Sequence, residues 1–183
     1  THNLLQLNET LDDLQAAEGG SATQLPGFDK VTDNPLHLSG RPVFKGKPSL
    51  ILLDGWCLGA TPQADAELSA SVNKLEGDSD AESVWRREVN DNLAGAYQDI
   101  FNRLDAILYI RAPSFEVVLD WRCQQEESLL GQSLTDADRA RIARFIQHYE
   151  RITRHMMAGG RRADIEIQLD EQRNVTEVRR LNS

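Results

Sequence analysis

Several things are scarce in this sequence, and each scarcity excludes a class. The 183 residues hold two cysteines, Cys57 and Cys123, too few for a disulfide scaffold, so both read as reduced thiols used in packing. No apolar run approaches the length of a membrane-spanning helix. Positive charge is in deficit: 20 Lys and Arg stand against 29 Asp and Glu, a net charge of −9. That field repels phosphate backbones and anionic lipid, so neither nucleic acid nor a membrane surface is an expected partner. There is no G-x-S-x-G elbow. His148 and His155 stand seven residues apart with no cysteine or third histidine close by, so no zinc site is suggested. No G-x-x-x-x-G-K-[ST] occurs, so a phosphate-cradling loop is missing from these residues. Internal repeats are also missing. The first residues, Thr-His-Asn-Leu-Leu-Gln-Leu, lack an initiator Met, a basic region and a cleavage signal. The expectation is a cytoplasmic chain whose natural start lies elsewhere.

What is present is enough for one core: 40% of the residues are hydrophobic. Leu4, Leu7, Leu11 and Leu14 recur at three- and four-residue steps and predict a helix over 2–18, stopped by Gly19-Gly20. Residues 19–48 concentrate Gly and Pro and read mostly as loop. Leu50-Ile51-Leu52-Leu53 then runs into Asp54-Gly55, which predicts a strand at 49–53 buried on both faces. Leu68, Val72 and Leu75 suggest a short helix near 63–76. Apolar residues from Trp85 to Leu104 then mark a long helix at about 81–104, followed by a second buried strand at 106–110. Ser114 is placed to cap the next helix, and Thr135-x-x-Asp138 resembles a capping box opening a helix to about 157. The alternation at Ile165, Ile167 and Leu169 predicts a strand, followed by a turn at 171–174 and an edge strand at 175–179. This order implies an α/β fold with a largely parallel sheet in a single domain, 1–183.

Four groups of residues have chemical potential. Asp54 is expected at the C-terminal edge of its strand, where open α/β sheets bind ligands. An acid there holds Mg²⁺ or accepts a hydroxyl proton in nucleotide-handling proteins, and elsewhere simply ends a strand. Phe28-Asp29-Lys30 sits in a Gly/Pro loop. It reads as a substrate clamp, with Asp29 taking a proton and Lys30 neutralising an anion, or as a solvated loop with a surface ion pair. Arg122 and Gln125 share a helix face after the second strand and could close over a nucleotide, or belong to an ordinary amphipathic helix. Arg141, Arg144, His148, Arg151 and His155 form a basic stripe. The simpler reading is a solvated face paired to nearby acids; the other is a surface for an anion or a partner.

In sequence order, several segments resemble the P-loop kinase-like family related to D-glycerate 3-kinase, within the uridine kinase and phosphoribulokinase group. Thr1-His2-Asn3 resembles the end of a G-T-H-D element, with Asn3 in place of Asp. Pro26-Gly27-Phe28-Asp29-Lys30 resembles a P-x-[FY]-D-K loop, and Leu53-Asp54-Gly55-Trp56-Cys57-Leu58-Gly59 an [ED]-G-W-x-[LV]-G element. Val89-Asn90-x-x-Leu93-x-x-x-Tyr97, Trp121-Arg122-x-Gln124-x-Glu126, Phe145-Ile146-x-x-Tyr149-Glu150-Arg151 and Ala163-Asp164-Ile165 also match. The resemblance implies a three-layer P-loop NTPase-like parallel sheet with helices on both faces, of which this chain is the C-terminal two-thirds. The phosphate loop and its two strands precede the G-T-H-D element in that family, so the N-terminal strands are missing here.

The function implied is transfer of the γ-phosphoryl of ATP, with Mg²⁺, to a hydroxyl of a small acid such as glycerate. The chain would be a truncated form inactive by itself; the alternative is a non-catalytic remnant that binds a partner. The resemblance places Asp54 and Asp29 in catalysis and Asp54 at the metal. It puts Thr1, His2, Phe28, Lys30, Trp56 and Asn90 at the acceptor, and Arg122 and Gln125 at the nucleotide. It gives no oligomeric state.

Overall fold

A capped leucine ladder opens the chain. The Asn3 side chain accepts the Gln6 amide at 3.0 Å, supplying one of the donors a helix start leaves unpaired. Helix α1 then runs Leu4–Ala16 and buries Leu11 and Leu14. The computed structural model describes residues 2–29, 32 and 34–181 and divides them into two compact units, Thr1–Asp54 and Gly55–Ser183. In the first unit, β1 (Ala22–Gln24) pairs antiparallel with β4 (Val43–Lys45). The short β2 (Phe28–Asp29) pairs antiparallel with β3 (Asn34–Pro35).

The strand expected at 49–53 does not form. Leu50 and Leu52 are 80% and 87% exposed, while Ile51 and Leu53 are half-buried. A strand buried on both faces needs a ladder on its edges and cover on each face. No described strand pairs with this segment, so its apolar residues meet water.

The second unit is built from helices and one three-stranded sheet. After a 3₁₀ turn at Asp65–Leu68 come α2 (Lys74–Ser79), α3 (Val84–Ala94) and α4 (Ala96–Phe101). The single long helix expected at about 81–104 is thus broken at Gly95, whose backbone lies outside the helical region. Strand β5 (Leu108–Arg111), α5 (Val117–Leu130), α6 (Asp136–Met157), β6 (Ile165–Leu169) and β7 (Val175–Arg180) complete it. β5 and β6 pair in parallel through the α5–α6 crossover, and β7 returns antiparallel on β6. β5 has one neighbour, and its Leu108 and Ile110 are exposed rather than buried on both faces.

Local chemistry sets the ends. Thr135 and Asp138 form the predicted capping box, the Asp138 amide donating to Thr135 Oγ1 at 3.2 Å and the Thr135 amide to Asp138 Oδ2 at 3.3 Å. α3 is capped from a distance: the Asp80 carboxylate accepts the Trp85 and Arg86 amides. One core cluster joins Cys57, Ala60, Leu93 and Met156; another joins Phe115, Cys123, Ile142 and Ile146, packing α5 on α6. Both cysteines are buried and unbonded. No helix among the described residues is long and apolar enough to cross a membrane.

Candidate functional site

The residues proposed for the acceptor side in the first unit are only partly described. Thr1 and Lys30 lie outside the described residues. His2 is exposed beside the α1 cap. Phe28 and Asp29 share the β2 hairpin, where Phe28 is exposed and Asp29 Oδ2 accepts the Thr32 hydroxyl at 2.8 Å. Asn3, which stands where the resembled element has Asp, has a structural use as the α1 cap. Asp54 closes the unit with its carboxylate exposed.

The rest of the D-G-W segment belongs to the second unit and has a clear packing logic. Gly55 to Leu58 turn, and residues 59–61 then run beside 160–162. Arg162 N–H donates to the Gly59 carbonyl at 2.7 Å and Thr61 N–H to the Gly160 carbonyl at 3.1 Å. Gly59 is at φ +81°, and a Cβ there would clash with the Arg162 carbonyl. The motif's last glycine, rather than Gly55, is therefore the one the backbone requires. Trp56 packs edge-on against Tyr149 of α6 at 4.9 Å, and Tyr149 against Phe145 at 5.2 Å.

Asn90 lies on the wall of a cavity of about 410 Å³ between α3 and α6. Its side chain accepts the Gln63 amide at 2.7 Å and donates to the Gln63 carbonyl at 3.1 Å. Both ends of the amide thus hold the 61–64 segment. Trp85, 70% exposed, and Val89 give the cavity an apolar rim; Leu75, Leu93 and Ile152 give it an apolar floor.

Two buried guanidiniums stand behind it. Arg151, read from sequence as part of a solvated stripe, is 7% exposed. Its fork grips Glu76 through Nε at 2.8 Å and Nη2 at 2.7 Å and reaches the Glu67 and Ala70 carbonyls at 3.0 and 2.6 Å. Arg86 reads the Leu68 and Ser69 carbonyls and the Asp80 carboxylate. Together they staple the 65–80 segment onto α3 and α6. Burial by itself would raise the Glu76 carboxyl. The Arg151 hydrogen bonds, the Val72 amide and the charges of Arg151 and Arg86 outweigh it and hold the group below its ordinary value.

The basic stripe is therefore interrupted. Arg151 faces inward because α6 packs against α2, and the side chain follows the carboxylate that packing supplies. Arg141 pairs with Asp138, while His148 Nδ1 bonds the Phe145 carbonyl at 2.9 Å. Phe145, expected in the α6 core stripe, is 46% exposed.

Arg122 and Gln125 come together on a separate groove of about 630 Å³ along α5, lined also by Trp121, Gln124, Ser128 and Arg173. Arg122 Nη1 donates to Gln125 Oε1 at 2.5 Å and Nη2 pairs with Glu126 at 2.7 Å. Trp121 anchors one wall through its indole N–H, which donates to the Glu171 carbonyl at 2.8 Å.

Among the described residues no three His, Cys, Asp or Glu side chains converge as a metal site. Asp54 offers one carboxylate, and a Mg²⁺ ion takes the remainder of its shell from water and phosphate.

The sequence reading missed Arg86, Glu76 and Arg173. It also missed the pair of Arg161 with Glu166, which is 2% exposed. The turn chemistry of Asp170–Asn174 was the only local signal for any of them.

No family model matches the chain. An uncharacterized kinase of Schizosaccharomyces pombe, mug58, is 27% identical over 100 residues, 54% of this chain and 35% of that protein. The chain thus spans about a third of the curated relative it matches. Solved structures similar in fold include the following two. D-glycerate 3-kinase from Cryptococcus neoformans var. grubii serotype A superposes with a TM-score of 0.72 at 19% identity, over 99% of this chain and 67% of that one. The protein YGR205w gives 0.67 at 21% identity, over 100% of this chain and 66% of that one. The chain therefore has the mixed α/β fold of these two structures, over about two-thirds of their length.

Proposed function

We propose that the protein containing this chain is an ATP-dependent kinase that phosphorylates a hydroxyl of a small acid such as glycerate. The observation carrying the reading is the fold likeness to a D-glycerate 3-kinase along 99% of the chain. The kinase name of the sequence relative supports it. In this reading the acceptor oxygen bonds to the γ-phosphorus as the bond to the ADP oxygen breaks, and the hydroxyl proton passes to a carboxylate or to water. Asp54 serves as that base or beside Mg²⁺, and Asp29 and Lys30 contact the acceptor. Arg122 answers the charge developing on the transferred group, and its planar fork is not replaceable by an ammonium. These 183 residues contain no phosphate-loop motif, so the chain taken by itself should bind ATP weakly or not at all.

The test is phosphoryl transfer from labelled ATP to D-glycerate and related hydroxy acids by the full-length gene product. Asp54→Asn removes a charge and almost no volume. It should keep the fold and lower turnover by about 10²–10⁴-fold. Near-normal kcat would reduce Asp54 to a turn residue. A folded protein that phosphorylates none of these acids would end the reading of the acceptor.

A further inference from the structure

Helix α5 is held weakly by its own residues. Only Cys123 of its fourteen residues is fully buried, and with half-buried Val118 and Leu119 it packs on the α6 cluster, which fixes one side. The other side is held by the turn between β6 and β7.

That turn is stapled before it touches α5. Asp170 accepts the Asn174 backbone amide at 2.8 Å and its side-chain amide at 2.9 Å. The Arg173 amide donates back to the Asp170 carbonyl at 3.0 Å. The staple puts Arg173 at φ +65°, a left-handed conformation that favours glycine. From there the side chain reaches across to α5. Its guanidinium lies 5.0 Å from the centre of the Trp121 ring, within cation–π range. Nη2 lies 3.3 Å from the Trp121 carbonyl and 3.1 Å from Gln124 Oε1. With the Trp121 indole bonded to Glu171, the turn grips α5 at residues 121 and 124, on either side of Arg122 in sequence.

We propose that Arg173 is a positioning residue: the 170–174 turn is a clamp that fixes α5 and so aims Arg122 into the groove that Arg173 itself lines. The inference rests on the reading of Arg122 as the group that meets phosphate charge. Its physical content is that α5, with one fully buried residue, opens locally at low cost unless the turn holds it. A misaimed guanidinium then loses transition-state stabilisation without losing the acceptor.

The test uses the full-length protein with Arg173→Gly and Arg173→Lys. Glycine accepts φ +65° without strain, so it deletes the Arg173 contacts to α5 and spares the turn and its Glu171 bond to Trp121. Lysine keeps a cation near Trp121 and loses the fork. Hydrogen exchange of 117–130 is compared with that of 136–157, and steady-state kinetics are measured with ATP and the acceptor. In Arg173→Gly, α5 exchange should accelerate roughly tenfold or more while α6 is unchanged. kcat should fall about 10–100-fold with the acceptor KM held, and Arg173→Lys should be intermediate in both.

Unchanged α5 exchange overturns the clamp. Equal acceleration of α5 and α6 also overturns it, since Arg173 then contributes only general stability. Faster α5 exchange with normal kcat, where Arg122→Lys is slow, overturns the positioning role and leaves the kinase reading intact. If the unaltered protein transfers no phosphoryl group, that reading fails and the exchange data alone judge the clamp.

Discussion

Replacing Arg151 by Met should strongly destabilise the second unit, although its place in the sequence suggests a harmless surface change. The side chain has two hydrogen bonds to Glu76 and two to the Glu67 and Ala70 carbonyls. Methionine fills much of the volume and makes none of these bonds. Glu76, its side chain 13% exposed, would keep the Val72 amide at 3.0 Å and Arg86 no closer than 4.0 Å. Removing one member of a buried pair costs about 3–5 kcal/mol, chiefly because the other charge is left desolvated. Two orphaned carbonyls push towards the upper end. A loss of about 4 kcal/mol lowers the folding constant roughly a thousandfold.

Urea unfolding followed by far-UV circular dichroism measures the change. The control is Arg144→Glu on the exposed face of the same helix, expected within about 0.5 kcal/mol of the parent. The double variant Arg151→Met with Glu76→Leu should recover much of the loss, because no charge is then stranded. A cost below about 1 kcal/mol for Arg151→Met would mean the pair behaves as a solvated surface bridge, and the stapling argument would be wrong.

Two further outcomes follow from the same geometry. Glu76 is held below its ordinary value of 4.5 in the folded chain. Its contribution is therefore full above that pH and is lost as pH falls through the depressed folded value. Stability measured from pH 6 down to 2 should decline less steeply in Glu76→Gln than in the parent; equal slopes would rule this group out as a source of acid sensitivity. Gly59→Ala meets both a positive φ and the Arg162 carbonyl, and should cost at least about 1–3 kcal/mol in thermal unfolding. The corresponding change at Gly55, which has neither feature, should cost less, and a reversed ranking would refute the packing account of the D-G-W segment.

Much of the fold was legible because some signals are local. The leucines of α1, the Thr135–Asp138 box and the alternation at 165–169 depend on residues within a few positions of one another, and those elements lie where the pattern puts them. Gly131, at φ +67° after α5, ends that helix through its own backbone freedom. Of the proposed site, the sequence named Arg122 and Gln125 as sharing a face, and they do line one groove. It also named Asn90, but not that both ends of its amide would hold Gln63.

The remainder depended on neighbours that sequence distance hides. The apolar run at 49–53 has the composition of a buried strand, yet burial requires pairing partners, and none of the described strands supplies one. Arg151 and Arg144 look alike on a helical wheel; the carboxylate of Glu76, 75 residues away, makes one a buried staple. Arg173 is an unremarked turn residue until Trp121, 52 residues earlier, packs beneath it. Periodicity and caps are properties of adjacent residues, so the sequence by itself determined where α1, α6 and the final strands lie. Burial, charge pairing and the aim of a side chain are properties of surfaces brought together, and only the tertiary structure decided them.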